Sequence, residues 1–170
     1  PPTIPPDLDP NDFRFSSLVD PAVPATAREL HGVRGPSVDT AWQVTTGRPD
    51  VVIAILDSGI DWSDAGAMGD LAAKVRLNAA ELPLPEGTTN GYDRNEDGVF
   101  DVRDYRADGI HAQDSRVADS NGNGLIDPQD LLRAFSDGID ADANGYVDDI
   151  AGWDFHEDDN DPYDDVRYGH

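Results

Sequence analysis

A twelve-residue pattern of Asp, Asn and Gly occurs twice in the middle of the chain and constrains the fold more than any other feature. The first loop covers residues 93–104 and the second loop covers residues 119–130. Each has oxygen-bearing side chains at positions 1, 3, 5, 9 and 12, Gly at position 6 and an apolar residue at position 8. Alternate residues of such a loop direct oxygens towards one centre, and the Gly permits a sharp turn. The pattern therefore predicts two loops shaped around a hard cation.

The spacing of these residues resembles that of EF-hand calcium loops. Position 12 is Asp rather than Glu in both copies, which makes them more similar to the loops of dockerin modules than to those of calmodulin. The alternative to metal binding is a pair of Asx turns in a solvated acidic segment. The tandem repeat favours metal binding over this alternative. The predicted calcium ligands, with the main-chain carbonyl at position 7, are Asp93, Asn95, Asp97, Val99, Asp101 and Asp104 in the first loop and Asp119, Asn121, Asn123, Leu125, Asp127 and Asp130 in the second.

A third loop, residues 140–151, matches the first nine positions of the pattern but has Ala151 at position 12. We expect weaker binding there unless a ligand comes from elsewhere in the chain, and an acidic turn is the open alternative. Its predicted ligands are the side chains of Asp140, Asp142, Asn144 and Asp148 and, at position 7, the main-chain carbonyl of Tyr146.

The net charge supports a role for bound cations. The chain has 35 acidic and 12 basic residues, a formal charge of −23, and only five of the acidic residues are Glu. Short carboxylates among Asn and Gly are typical of metal loops, although a halophilic surface is an alternative. Such a charge repels nucleic acid and anionic membranes, so neither is an expected partner. The absence of Cys excludes disulfides and thiolate metal sites.

Upstream of the loops, residues 51–56 form an uninterrupted apolar run that ends at Asp57. Such a run, rich in Val and Ile, predicts a strand buried on both faces of a parallel sheet and therefore an α/β fold. Ligands gather outside the carboxyl ends of these strands, where Asp57 would lie. Around the second loop, Asp127 as a cap and Pro128 at the first position predict a helix that contains Leu131 and Phe135.

The string Asp57-Ser58-Gly59 after a Val/Ile strand, with Gly169-His170 later in the chain, resembles the subtilisin-like serine proteases. The resemblance implies that Asp57 orients His170, and that His170 acts as general base and acid for a serine nucleophile. No motif for that serine occurs in the 170 residues, so we expect this chain alone to be inactive.

Residues 153–162 are similar to the calcium loop that precedes the catalytic histidine in thermitase-like members of that family. The similarity implies calcium ligands at the carboxylates of Asp154, Glu157 and Asp159 and at the carbonyl of Asp161, with a solvated acidic run as the alternative. The string Gly69-Asp70-Leu71 resembles a short turn of the same family whose Asp can hold calcium, which implies Asp70 as a further ligand. The chain would then bind two to four Ca²⁺ ions.

These interpretations combine into one expected organisation. Residues 1–48 form an amino-terminal arm and first helix, residues 49–87 and 138–170 form part of a subtilisin-like α/β core, and residues 88–137 form an inserted calcium-binding segment. The resemblance implies a secreted serine endopeptidase that acts on proteins or peptides and requires the remainder of the protease domain. A non-catalytic, dockerin-like interaction module is the alternative.

Overall fold

The computed structural model describes residues 41–165 of the chain. The described residues belong to two compact units, one ending at Val51 and the other beginning at Val52. In the first unit, residues 41–42 are helical, and the amides of Val44 and Thr45 then donate to the carbonyl of Ala41 at 2.9 and 3.1 Å. The predicted arm falls within residues 1–40, outside the described part of the chain. The predicted first helix, residues 38–44, is described only from residue 41 onwards.

The second unit consists of short helices joined by long, hydrogen-bonded loops. Its α-helices are α1 (Ala65–Leu71) and α2 (Pro128–Phe135). Single 3₁₀ turns cover Ala72–Lys74, Ala79–Glu81 and Val102–Tyr105.

The sequence prediction of helix α2 is confirmed. The Asp127 carboxylate accepts the backbone N–H groups of Gln129 at 2.8 Å and of Asp130 at 3.4 Å, and the Asp130 carboxylate accepts the N–H of Asp127 at 3.0 Å. This reciprocal capping box satisfies N–H groups that have no partner inside the helix. Pro128 costs nothing at the first turn, and Leu131 is fully buried. The capping residues are also loop residues, so the helix and the second loop form together.

A single hydrophobic cluster connects the loops. Tyr105 follows the first loop and Leu131 follows the second, and neither is exposed. The ring of Tyr105 lies 5.7 Å from that of Phe135. Burial of each large apolar side chain contributes about 1.5–3 kcal/mol, so this cluster fixes both loops to one interior. Its buried members are Ala72, Leu77, Leu82, Val102, Tyr105, Val117, Leu131 and Ile150.

Strand pairing within the described residues consists of two isolated bridges, a parallel one between Ile60 and Tyr163 and an antiparallel one between Asp154 and Asp159. The apolar run at residues 51–56 has no strand assignment, and its five large side chains are 55–92% exposed. A buried strand needs neighbours on its edges and faces, and residues 41–165 do not supply them to this run. The parallel α/β sheet therefore remains a prediction.

Candidate metal centres

The first loop is closed by carboxylates that accept backbone N–H groups. Asp93, at position 1, accepts the N–H of Asp97 at 3.1 Å and of Gly98 at 2.9 Å. Asp104, at position 12, is fully buried and accepts the N–H of Arg94 at 2.8 Å. Gly98 has φ +85°, a conformation that strains other residues. These hydrogen bonds thus hold the two ends of the loop around a common centre.

The second loop has the same construction. Asp119 accepts the N–H groups of Gly122 at 2.8 Å and Gly124 at 2.9 Å. Asp130 accepts the N–H of Ser120 at 2.6 Å and is fully buried. In both copies the position 1 carboxylate accepts the N–H of position 6, and the position 12 carboxylate accepts the N–H of position 2. The second N–H held by position 1 differs, being that of position 5 in the first loop and of position 4 in the second. The sequence repeat is therefore largely a structural repeat.

Within the second loop, the ligand side chains converge. The amide groups of Asn121 and Asn123 donate to the same carboxylate oxygen of Asp127, at 2.9 and 2.7 Å. Predicted ligands at positions 3, 5 and 9 are thus brought together.

The first loop differs in having a guanidinium among its carboxylates. Arg103, at position 11, pairs with Asp101 at 2.6 Å and lies 3.1 Å from Asp97. These partners are the predicted ligands at positions 9 and 5. A cation entering the first loop would therefore compete with an internal positive charge, whereas Gln129 occupies the equivalent position of the second loop.

The third loop reproduces the arrangement at position 1. Asp140 accepts the N–H of Asn144 at 3.0 Å and of Gly145 at 2.8 Å. Position 12 is Ala151, which has no side-chain oxygen.

Glu81, in the 3₁₀ turn Ala79–Glu81, supplies to the third loop the carboxylate that Ala151 lacks at position 12. Its Oε1 accepts the N–H groups of Ala141 at 2.9 Å and Asp142 at 3.1 Å, which are positions 2 and 3 of the third loop. In the first loop, the position 12 carboxylate accepts the N–H groups of the same two positions. Carboxylate oxygens of Glu81, Asp140 and Asp142 lie within 4.8 Å of one another. A long acidic side chain thus completes the third loop from outside it.

At position 9 of the third loop, the neighbouring Asp149 lies where Asp148 is expected. The Asp148 carboxylate accepts the backbone N–H groups of residues 137–138 at 3.0 and 2.8 Å. The next residue, Asp149, accepts the side-chain amides of Asn144 at 3.1 Å and Asn78 at 2.7 Å. Asp149 therefore lies beside position 5, as Asp127 does in the second loop.

In the fourth acidic cluster, residues 153–162, the backbones of Asp154 and Asp159 pair at 2.9 and 3.2 Å. The Asp154 carboxylate accepts the N–H groups of residues 156–157 at 2.6 and 3.0 Å. The Asp161 carbonyl, a predicted ligand, accepts the N–H of Tyr163 at 2.6 Å. The structure thus brings the backbones of Asp154 and Asp159 together, whereas the side chains of Glu157 and Asp159 are exposed.

The local environment shifts the pKa of two candidate ligands in opposite directions. Burial raises the pKa of Asp104 above its ordinary value, although backbone N–H groups from Asp101 and Arg94 act against this shift. A hydrogen bond from the Asn78 side chain holds the pKa of Asp142 below its ordinary value. Protons therefore compete with a cation more effectively for Asp104 than for Asp142.

The chemistry of the donors fits a hard cation. All of the predicted side-chain ligands are carboxylate or amide oxygens, and the chain contains no Cys. Oxygen donors in flexible loops suit Ca²⁺, whereas Zn²⁺ and copper prefer sulfur and imidazole.

The proposed catalytic residues are described only in part. Asp57 is exposed, and the backbone N–H of Ser58 donates to its carboxylate at 2.7 Å. His170 lies outside the described residues. The parallel bridge between Ile60 and Tyr163 joins the segment after Asp57 to the segment before His170.

Sequence reasoning missed Glu81, Asp149 and Asn78 as contributors to the third loop. The only signal for an external residue was the absence of an acid at position 12, and no local pattern marks residues 79–81 as its source.

No protein-family model matches the chain, and neither a curated protein nor a solved structure does so. Across residues 41–165, none of the helices has the length and apolar character needed to cross a membrane.

Proposed function

We propose that this chain is a calcium-binding portion of a secreted subtilisin-like serine endopeptidase. The observation that carries the calcium proposal is the repeated loop geometry. In all three loops, the carboxylate of the position 1 Asp accepts backbone N–H groups from across the turn. A second carboxylate accepts backbone N–H groups at the start of the loop. That second carboxylate belongs to Asp104, Asp130 or Glu81. Carboxylates held in this way present their remaining lone pairs towards a shared centre.

Calcium would act structurally in this proposal. A chain with 35 acidic residues against 12 basic ones has strong internal repulsion, which is greatest inside the loops. Two or more bound divalent ions would offset part of that charge and fix the loops, which supports folding and protects them from proteolysis.

The protease proposal rests on Asp57, His170 and the segments that carry them. Asp57 would accept the imidazole N–H of His170, which selects the tautomer able to receive a proton from the serine hydroxyl. His170 would then return that proton to the leaving amine of a peptide substrate. The Ile60–Tyr163 bridge supports this proposal because it ties the two segments together from either side of the insertion. The serine and the substrate pockets would belong to the remainder of the domain.

Calorimetric titration tests the calcium proposal. The 170-residue chain, stripped of metal, should bind two to four Ca²⁺ ions in buffer near neutral pH, and Mg²⁺ should bind more weakly because it demands regular octahedral coordination. The Asp93→Ala and Asp119→Ala variants should each lose about one ion. A stoichiometry below two in the wild-type chain would contradict the proposal.

A longer protein, extended past His170 by the sequence that its own gene encodes, tests the protease proposal. We expect a fluorophosphonate probe to label the extended protein and the label to decrease strongly in the His170→Ala variant. The Glu86→Ala variant, changed at an exposed residue that has no role in the proposed mechanism, should label as the wild type does.

The alternative is a non-catalytic calcium-binding module. It is favoured by one observation, namely that the two loops of residues 88–137 share a buried cluster containing Val102, Tyr105 and Leu131. Calcium binding without any fluorophosphonate labelling of the extended protein would select this alternative.

A further inference from the structure

The second loop is hydrogen-bonded to two segments that are distant from it in sequence. The side-chain amide of Asn123 donates to the carbonyl of Trp62 at 2.7 Å. The side-chain amide of Gln129 donates to the carboxylate of Asp161 at 2.7 Å. The indole N–H of Trp62 donates to the other oxygen of the same carboxylate at 3.1 Å. Asp161 therefore joins the second loop and the segment that follows Asp57.

Those two segments also pair directly. The N–H of Ile60 donates to the carbonyl of Pro162 at 2.8 Å, and the N–H of Asp164 donates to the carbonyl of Ile60 at 3.0 Å. At Gly59, a Cβ atom would lie 2.6 Å from the Asp164 nitrogen, so only Gly permits this approach. We call residues 59–62 and 161–164, with these bonds, the paired segments.

Burial makes the connection to the second loop specific. Trp62 is fully buried and Gln129 is 2% exposed, so water cannot readily replace their hydrogen-bond partners. The first loop uses its equivalent residue differently, because Arg103 pairs with Asp101 and Asp97 of its own loop. The Gln129 side chain accepts the side-chain amide of Asn121 in its own loop at 3.2 Å and donates to Asp161 outside it, so only the second copy links its position 11 to the paired segments.

We propose that the second loop controls the paired segments, with Asn123 and Gln129 as positioning residues, so that calcium bound there fixes residues 59–62 against residues 161–164. This inference rests on the proposed calcium binding of the second loop and does not depend on the protease proposal. Asn123 is both a predicted ligand and a donor to Trp62, so a cation that fixes its amide oxygen also fixes the amide nitrogen. Binding energies of linked sites are reciprocal, and disruption of the paired segments must therefore weaken calcium binding to the second loop.

Amide hydrogen exchange measured by NMR on the ¹⁵N-labelled 170-residue chain tests the proposal. The reporters are the N–H groups of Ile60 and Asp164, which bridge the paired segments. Relative to the chain in EDTA, we expect saturating Ca²⁺ to slow their exchange about tenfold or more. The Asp119→Ala variant should lose this slowing. The matched Asp93→Ala variant, changed at the same position of the first loop, should retain it.

A milder variant keeps the test informative if Asp119→Ala fails to fold. Gln129→Met preserves volume and helix propensity but removes the donor to Asp161, and with it the acceptor of the Asn121 amide. It should accelerate exchange at Ile60 and Asp164 in Ca²⁺ and weaken the calorimetric affinity of one site about tenfold. The proposal is wrong if calcium binds the second loop and these two amides exchange at the same rate with and without it, or if Asp93→Ala and Asp119→Ala act equally. Failure of the wild-type chain to bind any calcium would instead overturn the proposed function and this inference together.

Discussion

Replacement of Glu81 by Gln separates the roles of this residue in the ion-free and the calcium-bound protein. Gln keeps an oxygen that can accept the N–H groups of Ala141 and Asp142, which now bond to Oε1 at 2.9 and 3.1 Å. It removes the charge from a group whose oxygens lie within 4.8 Å of those of Asp140 and Asp142. Shape is therefore preserved while the electrostatics change.

The magnitude follows from that distance. Two like unit charges no more than 4.8 Å apart repel by at least about 0.9 kcal/mol in water and by at least about 3.5 kcal/mol at an effective dielectric constant near 20. Asp142 is exposed, so water screens its repulsion by Glu81. Relief of this repulsion opposes the weakening of two charge-assisted hydrogen bonds by about 1 kcal/mol each. The stability of the ion-free protein should thus change by no more than about 1–2 kcal/mol.

The calcium-bound protein should respond much more strongly. A carboxylate attracts a divalent ion twice as strongly as it attracts a unit charge, and no other residue of the third loop takes the position 12 role. We expect the affinity of one site to fall about 100-fold, which corresponds to about 2.7 kcal/mol. The assay is calorimetric titration with Ca²⁺, paired with thermal unfolding in EDTA.

Glu86→Gln is the matched control. Glu86 also accepts a backbone N–H, that of Ser115 at 2.7 Å, but its neighbours belong to no predicted loop. Its substitution should leave every calcium affinity within about twofold of the wild type. Unchanged stoichiometry and affinity in Glu81→Gln would refute the assignment of Glu81 to the third loop.

Three further predictions follow from the same structure. Excess EDTA should lower the thermal midpoint by about 5–10 °C for each ion removed, as measured by circular dichroism, and an unchanged midpoint would argue against structural calcium. Burial acts to raise the pKa of Asp114, but hydrogen bonds from Arg116 and Glu86 outweigh it and hold that pKa below its ordinary value. The ionised carboxylate should therefore stabilise the protein above the unfolded pKa of about 3.9, and this stabilisation should be lost as pH falls through the folded pKa. In urea titrations, Asp114→Asn should lower the free energy of unfolding by about 2–3 kcal/mol at pH 7 and by less near pH 3. The 170-residue chain should not react with a fluorophosphonate, and labelling of Ser58 would disprove our assignment of the nucleophile to the remainder of the domain.

The sequence predicts those features that depend on local spacing. The Gly at position 6 of each loop and the capping box of Asp127 and Asp130 use residues a few positions apart, so a pattern reveals them. The positions of the three loops and of helix α2 could therefore be read from the sequence.

Features that depend on distant residues could not be predicted. Glu81 meets the third loop about 60 residues downstream, and Trp62 meets Asp161 about 100 residues downstream. No periodicity records such contacts, because tertiary packing alone determines them. The shift of roles from Asp148 to Asp149 was equally hidden, since both residues are acidic and only the backbone, with φ +56° at Asp148, distinguishes them.

The exposed apolar run at residues 51–56 bears on the solution behaviour of the protein. Six consecutive residues of this kind, without Pro or Gly, form the type of segment that stacks into cross-β fibrils. Asp57 at one end and the Arg48–Asp50 ion pair at the other act as gatekeepers, because stacking would bring identical charges to about 4.8 Å from one another. At neutral pH these flanking charges therefore provide a barrier to aggregation through the exposed run.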